Sequence, residues 1–236
     1  MRTKIYAISD LHLSFSTDKP MDLFGGHWTG YEEKIKKDWN RHVGPDDIGI
    51  IAGDISWAMK MSDTDADFDY LRSLNGTKII IRGNHDYWWD SISRVRAKLG
   101  EGIHALQNDA IKIDNIVFAG TRGWKSPERT TKQSAEDKKI YDREVIRLEL
   151  ALSDAAKKRQ EGDKLVAITH YPPFNALRDD SHFTELMEKY NVDICIYGHL
   201  HDKRGGRKEL EITKGGVRYL LTSCDLLDFN VAVVEL

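Results

Sequence analysis

Short apolar runs rich in β-branched residues, near 4–9, 47–52, 77–82, 116–120, 164–169 and 193–197, alternate with amphipathic stretches at about 31–43, 63–74, 88–99, 134–160 and 181–190. Strand-length runs separated by segments of helical period specify strands joined by helical crossovers, the pattern of a layered α/β domain. Past this alternation, the stretches 207–213, 217–223 and 230–235 are separated by Gly215-Gly216 and by Asp225-Leu226-Leu227-Asp228. They read as antiparallel strands joined by turns, so a mixed sheet is expected. A chain of 236 residues can bury a substantial core as one domain, and a single domain over 1–236 is the expectation.

Composition narrows the function classes. With 40% hydrophobic and 31% charged residues and no apolar run of bilayer length, a membrane role has no support. The segment after Met1 passes directly into a strand-like run, which predicts a cytoplasmic protein without a signal peptide. Cys195 and Cys224 lie in or beside apolar runs and read as free thiols of a reducing compartment. A net charge of −3 argues against the broad positive field that holds nucleic acid non-specifically, so a nucleic-acid partner is not favoured.

Chemistry enters where the strands end. Asp10, Asp54, Asn84, His170 and His199 each fall at or just after the C-terminal end of a strand-like run, and in an open α/β sheet those ends face one crevice. The clusters are Asp10-Leu11-His12, Gly53-Asp54, Gly83-Asn84-His85-Asp86, His170 and Gly198-His199-Leu200-His201. Carboxylate and amide oxygens mixed with imidazole nitrogens suit manganese, iron, cobalt, nickel or zinc, and exclude an all-sulfur site. One carboxylate can bridge two cations about 3.5–4 Å apart, and Asp54 is the natural candidate. The glycines before Asp54, Asn84 and His199 allow the tight turns that aim a ligand into a shared site.

These five blocks, in this order, resemble the calcineurin-like metallophosphoesterase superfamily, with D-x-H, G-D, G-N-H-D/E, a lone H and G-H-x-H all present from Asp10 to His201. The wording around Gly53-Asp54-Ile55-Ser56-Trp57 and Arg82-Gly83-Asn84-His85-Asp86-Tyr87-Trp88-Trp89 is similar to a bacterial branch of it. The resemblance implies a four-layer αββα sandwich with two central mixed sheets. It implies two divalent transition-metal ions, manganese first among the candidates: one held by Asp10, His12, Asp54 and His201, the other by Asp54, Asn84, His170 and His199. A metal-bridging hydroxide would then hydrolyse a phosphomonoester or phosphodiester of a small molecule or nucleotide, while His85 stabilises the phosphoryl group or protonates the leaving oxygen. A nuclease of the same superfamily and a metal-binding scaffold without catalysis are the alternatives. Phosphoprotein phosphatases of the superfamily carry an acid three positions after the bridging Asp, where this chain has Trp57, which leaves the partner of His85 open.

Other conspicuous residues carry plainer expectations. His27, His42, His104 and His182 are expected to be surface or structural, Asp86 to cap the following helix, and Trp88 or Trp89 to enter the core. Two long loops, 13–30 and 121–133, are candidates for substrate contact through Trp28, Arg122 and Trp124. In the second loop Arg122, Lys125, Arg129 and Lys132 outweigh Glu128, giving a local charge of +3.

Overall fold

In a computed structural model, described here for residues 3–128, 133–201 and 209–236, eleven strands form two sheets. The first contains β1 (Ile5–Ile8), β2 (Ile48–Ile51), β3 (Thr77–Ile81), β4 (Ile103–Leu106) and β11 (Ala232–Val234), in the order β11-β1-β2-β3-β4. The second contains β5 (Asp109–Ile113), β6 (Ile116–Thr121), β7 (Lys164–Thr169), β8 (Ile194–Tyr197), β9 (Glu211–Lys214) and β10 (Val217–Leu221), in the order β5-β6-β7-β8-β10-β9. The interior pairs are parallel, while β11, β5 and β9 close sheet edges antiparallel.

The period-two side-chain alternation of each strand builds three apolar layers at once. Ile5, Ala7, Ile48, Ile50, Ile79 and Ile81 of the first sheet meet Phe118, Val166, Ile168, Ile194 and Ile196 of the second between the sheets. The alternate residues Tyr6, Ile8, Ile51 and Ile80 face α1 (Tyr31–His42), α2 (Asp65–Arg72) and α3 (Ile92–Leu99). Val117, Ala119, Leu165, Ala167 and Cys195 face α4 (Ala135–Lys158) and α5 (His182–Lys189). The result is the expected sandwich of two mixed sheets between helical layers. Strands buried on both faces explain why their sequences read as nearly continuous apolar runs.

The structure departs from the sequence reading in definite places. Strands β4 and β5 fall in a stretch with no strand expected, being short edge strands with half-buried polar positions such as His104 and Asp109. Helix α3 starts at Ile92 rather than 88, because Trp88 and Trp89 are both buried in the core ahead of it. The C-terminal stretches do not form one antiparallel unit: β9 and β10 make a hairpin, but β10 runs parallel to β8, and β11 crosses to pair with β1. No helix among the described residues is long and apolar enough to cross a membrane. Cys195 and Cys224 are buried free thiols.

Candidate metal centre

The parallel strands deliver their following loops to one edge of the sandwich, and all seven sequence-selected ligands collect there. Asp10, His12 and His201 form one group whose donor atoms lie within 4.8 Å of one another, and Asp10, Asp54 and His170 form a second. Asp54 Oδ2 stands between them, 3.4 Å from His170 Nε2 and 3.9 Å from His12 Nε2. Asn84 Oδ1 lies 2.8 Å from His170 Nε2, and the His199 ring centroid lies 5.1 Å from that of His170.

The backbone is bent to achieve this. Asp10, His12, Asp54 and His199 have φ of 59°, 47°, 52° and 71°, the left-handed region that non-glycine residues seldom occupy. Such strain persists only where surrounding contacts enforce it, and it concentrates at functional sites. The enforcing contacts are visible. Asp10 Oδ2 accepts from Ser9 Oγ (2.5 Å), Ser223 Oγ (3.0 Å) and His199 N (2.9 Å), and Asp54 Oδ1 accepts from His85 N (2.8 Å). A Cβ on Gly198 would stand 2.4 Å from Asp10 Oδ2, and one on Gly83 would stand 2.1 Å from Asp54 Oδ1. These two glycines are therefore fixed by close approach of the backbone to a carboxylate.

Asp86 does not cap α3, whose N-cap is Ser91. Fully buried, it accepts from Gly83 N (2.7 Å), Ile55 N (2.8 Å), Ser56 N (3.1 Å) and Trp88 Nε1 (3.0 Å), tying the loop of Asn84 to the loop of Asp54. Asp225 was not anticipated: its Oδ1 lies 2.9 Å from His201 Nδ1, which fixes that ring and leaves Nε2 3.5 Å from Asp10 Oδ1. A carboxylate behind an imidazole is the usual support of a metal-ligating histidine, but nothing in the sequence joins position 225 to 201.

Burial disfavours charge on every group here, yet the carboxylates resist it. Asp10 is held well below the usual carboxylate range by His201 and His170 despite desolvation, and Asp54 is lowered by His170. Against its own burial, His170 is raised to about 9 by Asp54, and His201 to about 10 by Asp10 and Asp225. His12 and His199 are instead pushed down to about 4, chiefly by burial. Two buried carboxylates among four imidazoles, with His12 Nδ1 buried and unpartnered among the described residues, form a hard-and-borderline donor set that fits divalent transition-metal ions.

His85 sits beside the donors, its ring 5.6 Å from that of His12 and 4.5 Å from that of Trp57. Trp57 thus fills the space where an orienting acid was in question, and Lys19 Nζ stands 3.2 Å from the centre of the Trp57 ring. Burial, with Lys19 as a further contributor, lowers the His85 pKa from its ordinary value and so favours the neutral ring.

The sequence matches the family model for calcineurin-like phosphoesterases over residues 3–203. The chain belongs to this family. No curated protein sequence matches it. Among solved structures, a protein of unknown function from Aquifex aeolicus aligns at 16% identity and TM-score 0.54, covering 98% of this chain and 96% of that one. The Thermus thermophilus protein TT1561 aligns at 13% identity and TM-score 0.63, covering 100% and 99%. At these identities the likeness is one of fold.

In this calcineurin-like phosphoesterase, the three residues expected at the substrate are placed differently from one another. Trp28 is buried against Tyr31 and Phe229, with its ring 6.3 Å from that of His12. Arg122 pairs with buried Glu144, and Trp124 packs on Tyr171. None of the three lines the large groove that opens at His199; its walls include Tyr171, Phe174, Tyr197, Leu200, Ser126 and Pro127. Within the +3 loop, Arg129 and Lys132 lie outside the described residues, as do residues 207 and 208 of the expected strand 207–213. His27, His42, His104 and His182 join neither donor group.

Proposed function

We propose that this protein is a dinuclear metal-dependent phosphoesterase acting, as one domain, on a phosphomonoester or phosphodiester. The observation that carries the reading is the placement of Asp54 Oδ2 between His12 and His170, at 3.9 and 3.4 Å, which suits one carboxylate shared by two cations. Asp10, His12, Asp54 and His201 would hold one ion, and Asp54, Asn84, His170 and His199 the other, with manganese the first candidate and iron, zinc, cobalt and nickel of compatible chemistry. When bound, the ions supply Lewis-acid charge and make water a competent nucleophile near neutral pH. The chain itself does the rest. His85 presents a ring N–H to the phosphoryl or leaving oxygen, held in place by its backbone bond to Asp54 and by Trp57. The groove of about 1060 Å³ beside His199 and Tyr171 receives the organic part of the ester, and its aromatic walls favour a sizeable or planar group such as a nucleoside.

The test is metal-stripped protein reloaded with manganese, cobalt, nickel, zinc or magnesium and assayed on an aryl phosphate and an aryl phosphodiester. Two ions per chain and metal-dependent turnover are expected, with Asp54→Asn losing both. His85→Ala should keep both ions while kcat falls roughly 10²- to 10⁴-fold. One ion or none, or metal loss in His85→Ala, would sink the assignment.

A further inference from the structure

A second, smaller cavity of about 210 Å³ lies at the seam between the two sheets, where Arg82 leaves β3, Gln107 leaves β4 and Arg122 leaves β6. Helix α4 closes it with Arg143, Glu144 and Arg147. Four guanidinium groups against one carboxylate give its wall a net charge of +3, in a protein whose whole charge is −3. Glu144 is completely buried, and its Oε1 meets Arg147 (2.6 Å), Arg122 (3.3 Å) and Arg143 (3.8 Å).

An ion-pair network built only to neutralise Glu144 would leave no strong donors over. This one does. Among the described residues, the Nε atoms of Arg82 and Arg122 are buried without a hydrogen-bond partner, and no carboxylate lies within ion-pair distance of Arg82. Among the described residues, Glu144 Oε2 is likewise buried and unpartnered. Unmet buried N–H groups are costly, and guanidinium geometry matches a tetrahedral or planar oxyanion. A protonated oxyanion such as hydrogen phosphate meets both needs, accepting from the arginines and donating to Glu144.

We propose that this cavity is an oxyanion pocket that binds a phosphate group, apart from the candidate metal centre. At about 210 Å³ it has room for a phosphate and lies below the roughly 300–1,000 Å³ of pockets that enclose larger organic ligands. The pocket stands whether or not the protein hydrolyses esters. It adjoins the ligand loops through the chain: Arg82 precedes Gly83-Asn84, and the Arg122 carbonyl accepts from His170 N (2.9 Å) and Tyr171 N (3.1 Å).

The experiment is thermal unfolding of metal-loaded protein in inorganic phosphate against chloride of equal ionic strength, for wild type, Arg147→Gln and Arg143→Gln. At phosphate about tenfold above Kd, the wild-type Tm should rise about 3–6 °C over the chloride value. That rise should shrink by at least half in Arg147→Gln, while the rise produced by manganese is the same in all three proteins. A bisphosphate ester and its monophosphate analogue separate the two sources of the anion. A KM raised in Arg147→Gln for the bisphosphate alone identifies the second phosphate of a substrate; unchanged KM values with the Tm effect retained identify free phosphate. A phosphate effect no larger than that of chloride, or one undiminished in both variants, overturns the proposal.

Discussion

At the scale of single residues, the candidate site separates into side chains that offer donor atoms to a cation and side chains that aim those donors. The first kind was legible because donor chemistry is written in residue type: Asp10, His12, Asp54, Asn84, His170, His199 and His201 end strands and share one sheet edge. The second kind was not, because Asp225 and Ser223 act by proximity across the fold, and residue type alone does not mark Ser9 as a support of its neighbour Asp10. Asp86 shows the limit well. Its position before a helix favours a cap, whereas its four accepted hydrogen bonds make it a buried tie between two ligand loops. Asp225 lends itself to measurement, since it meets the donors through His201 Nδ1. Asp225→Asn should weaken manganese affinity about 10- to 100-fold, the usual worth of such support, with kcat recovered at saturating metal. An unchanged affinity in calorimetric titration would mean that the contact does not orient His201 for a cation.

At the scale of elements, periodicity revealed the strands that lie inside the sheets and the edge strands β9 and β11, but missed the edge strands β4 and β5. β1, β2, β3, β6, β7 and β8 are covered on both faces and carry long apolar runs, whereas β4 is only four residues long with His104 breaking its apolar run, and β5 is largely half-buried and carries Asp109 and Lys112. Helix α3 was extended too far because Trp88 and Trp89 share the apolar pattern of the helix they precede. Packing of helix on sheet depends on one feature that a propensity scale would count against a strand. Gly49, in the middle of β2, lies under the Trp39 ring of α1, and a Cβ there would stand 2.1 Å from that ring. Trp39 is fully buried and donates from Nε1 to the Asn75 carbonyl (3.0 Å), so it cannot swing aside. Gly49→Ala should cost about 1–3 kcal/mol by overpacking, a Tm drop of roughly 2–12 °C for a protein of this size. Gly26→Ala, with nothing within 4 Å of its added Cβ, is the control and should shift Tm little. Equal Tm values for the two variants would show that α1 can lift from the sheet without penalty.

At the scale of the whole molecule, two sheets bring carboxylates and imidazoles from distant parts of the chain into a region shielded from water, so their charges are settled by one another. In metal-free protein at pH 7, His170 at about 9 and His201 at about 10 carry protons, while His12 and His199, at about 4, do not. The sign of the linkage follows from the comparison with an unfolded value near 6.5. His170 and His201 have raised values, so their contribution to metal-free stability is fully present below about 6.5 and is lost as pH rises through about 9 to 10. An imidazole must give up its proton to ligate a cation. Loading manganese at pH 7 should therefore release roughly two protons per chain, falling toward none above about pH 10. Titration calorimetry in two buffers of different ionisation enthalpy counts those protons directly. The same reasoning makes the metal-free Tm fall between pH 7 and 10 while the loaded protein holds its Tm, because cations replace the protons that offset Asp10 and Asp54. Proton release near zero at pH 7, or a metal-free Tm flat across that interval, would show that His170 and His201 are neutral before metal binds and that the carboxylates are balanced in some other way.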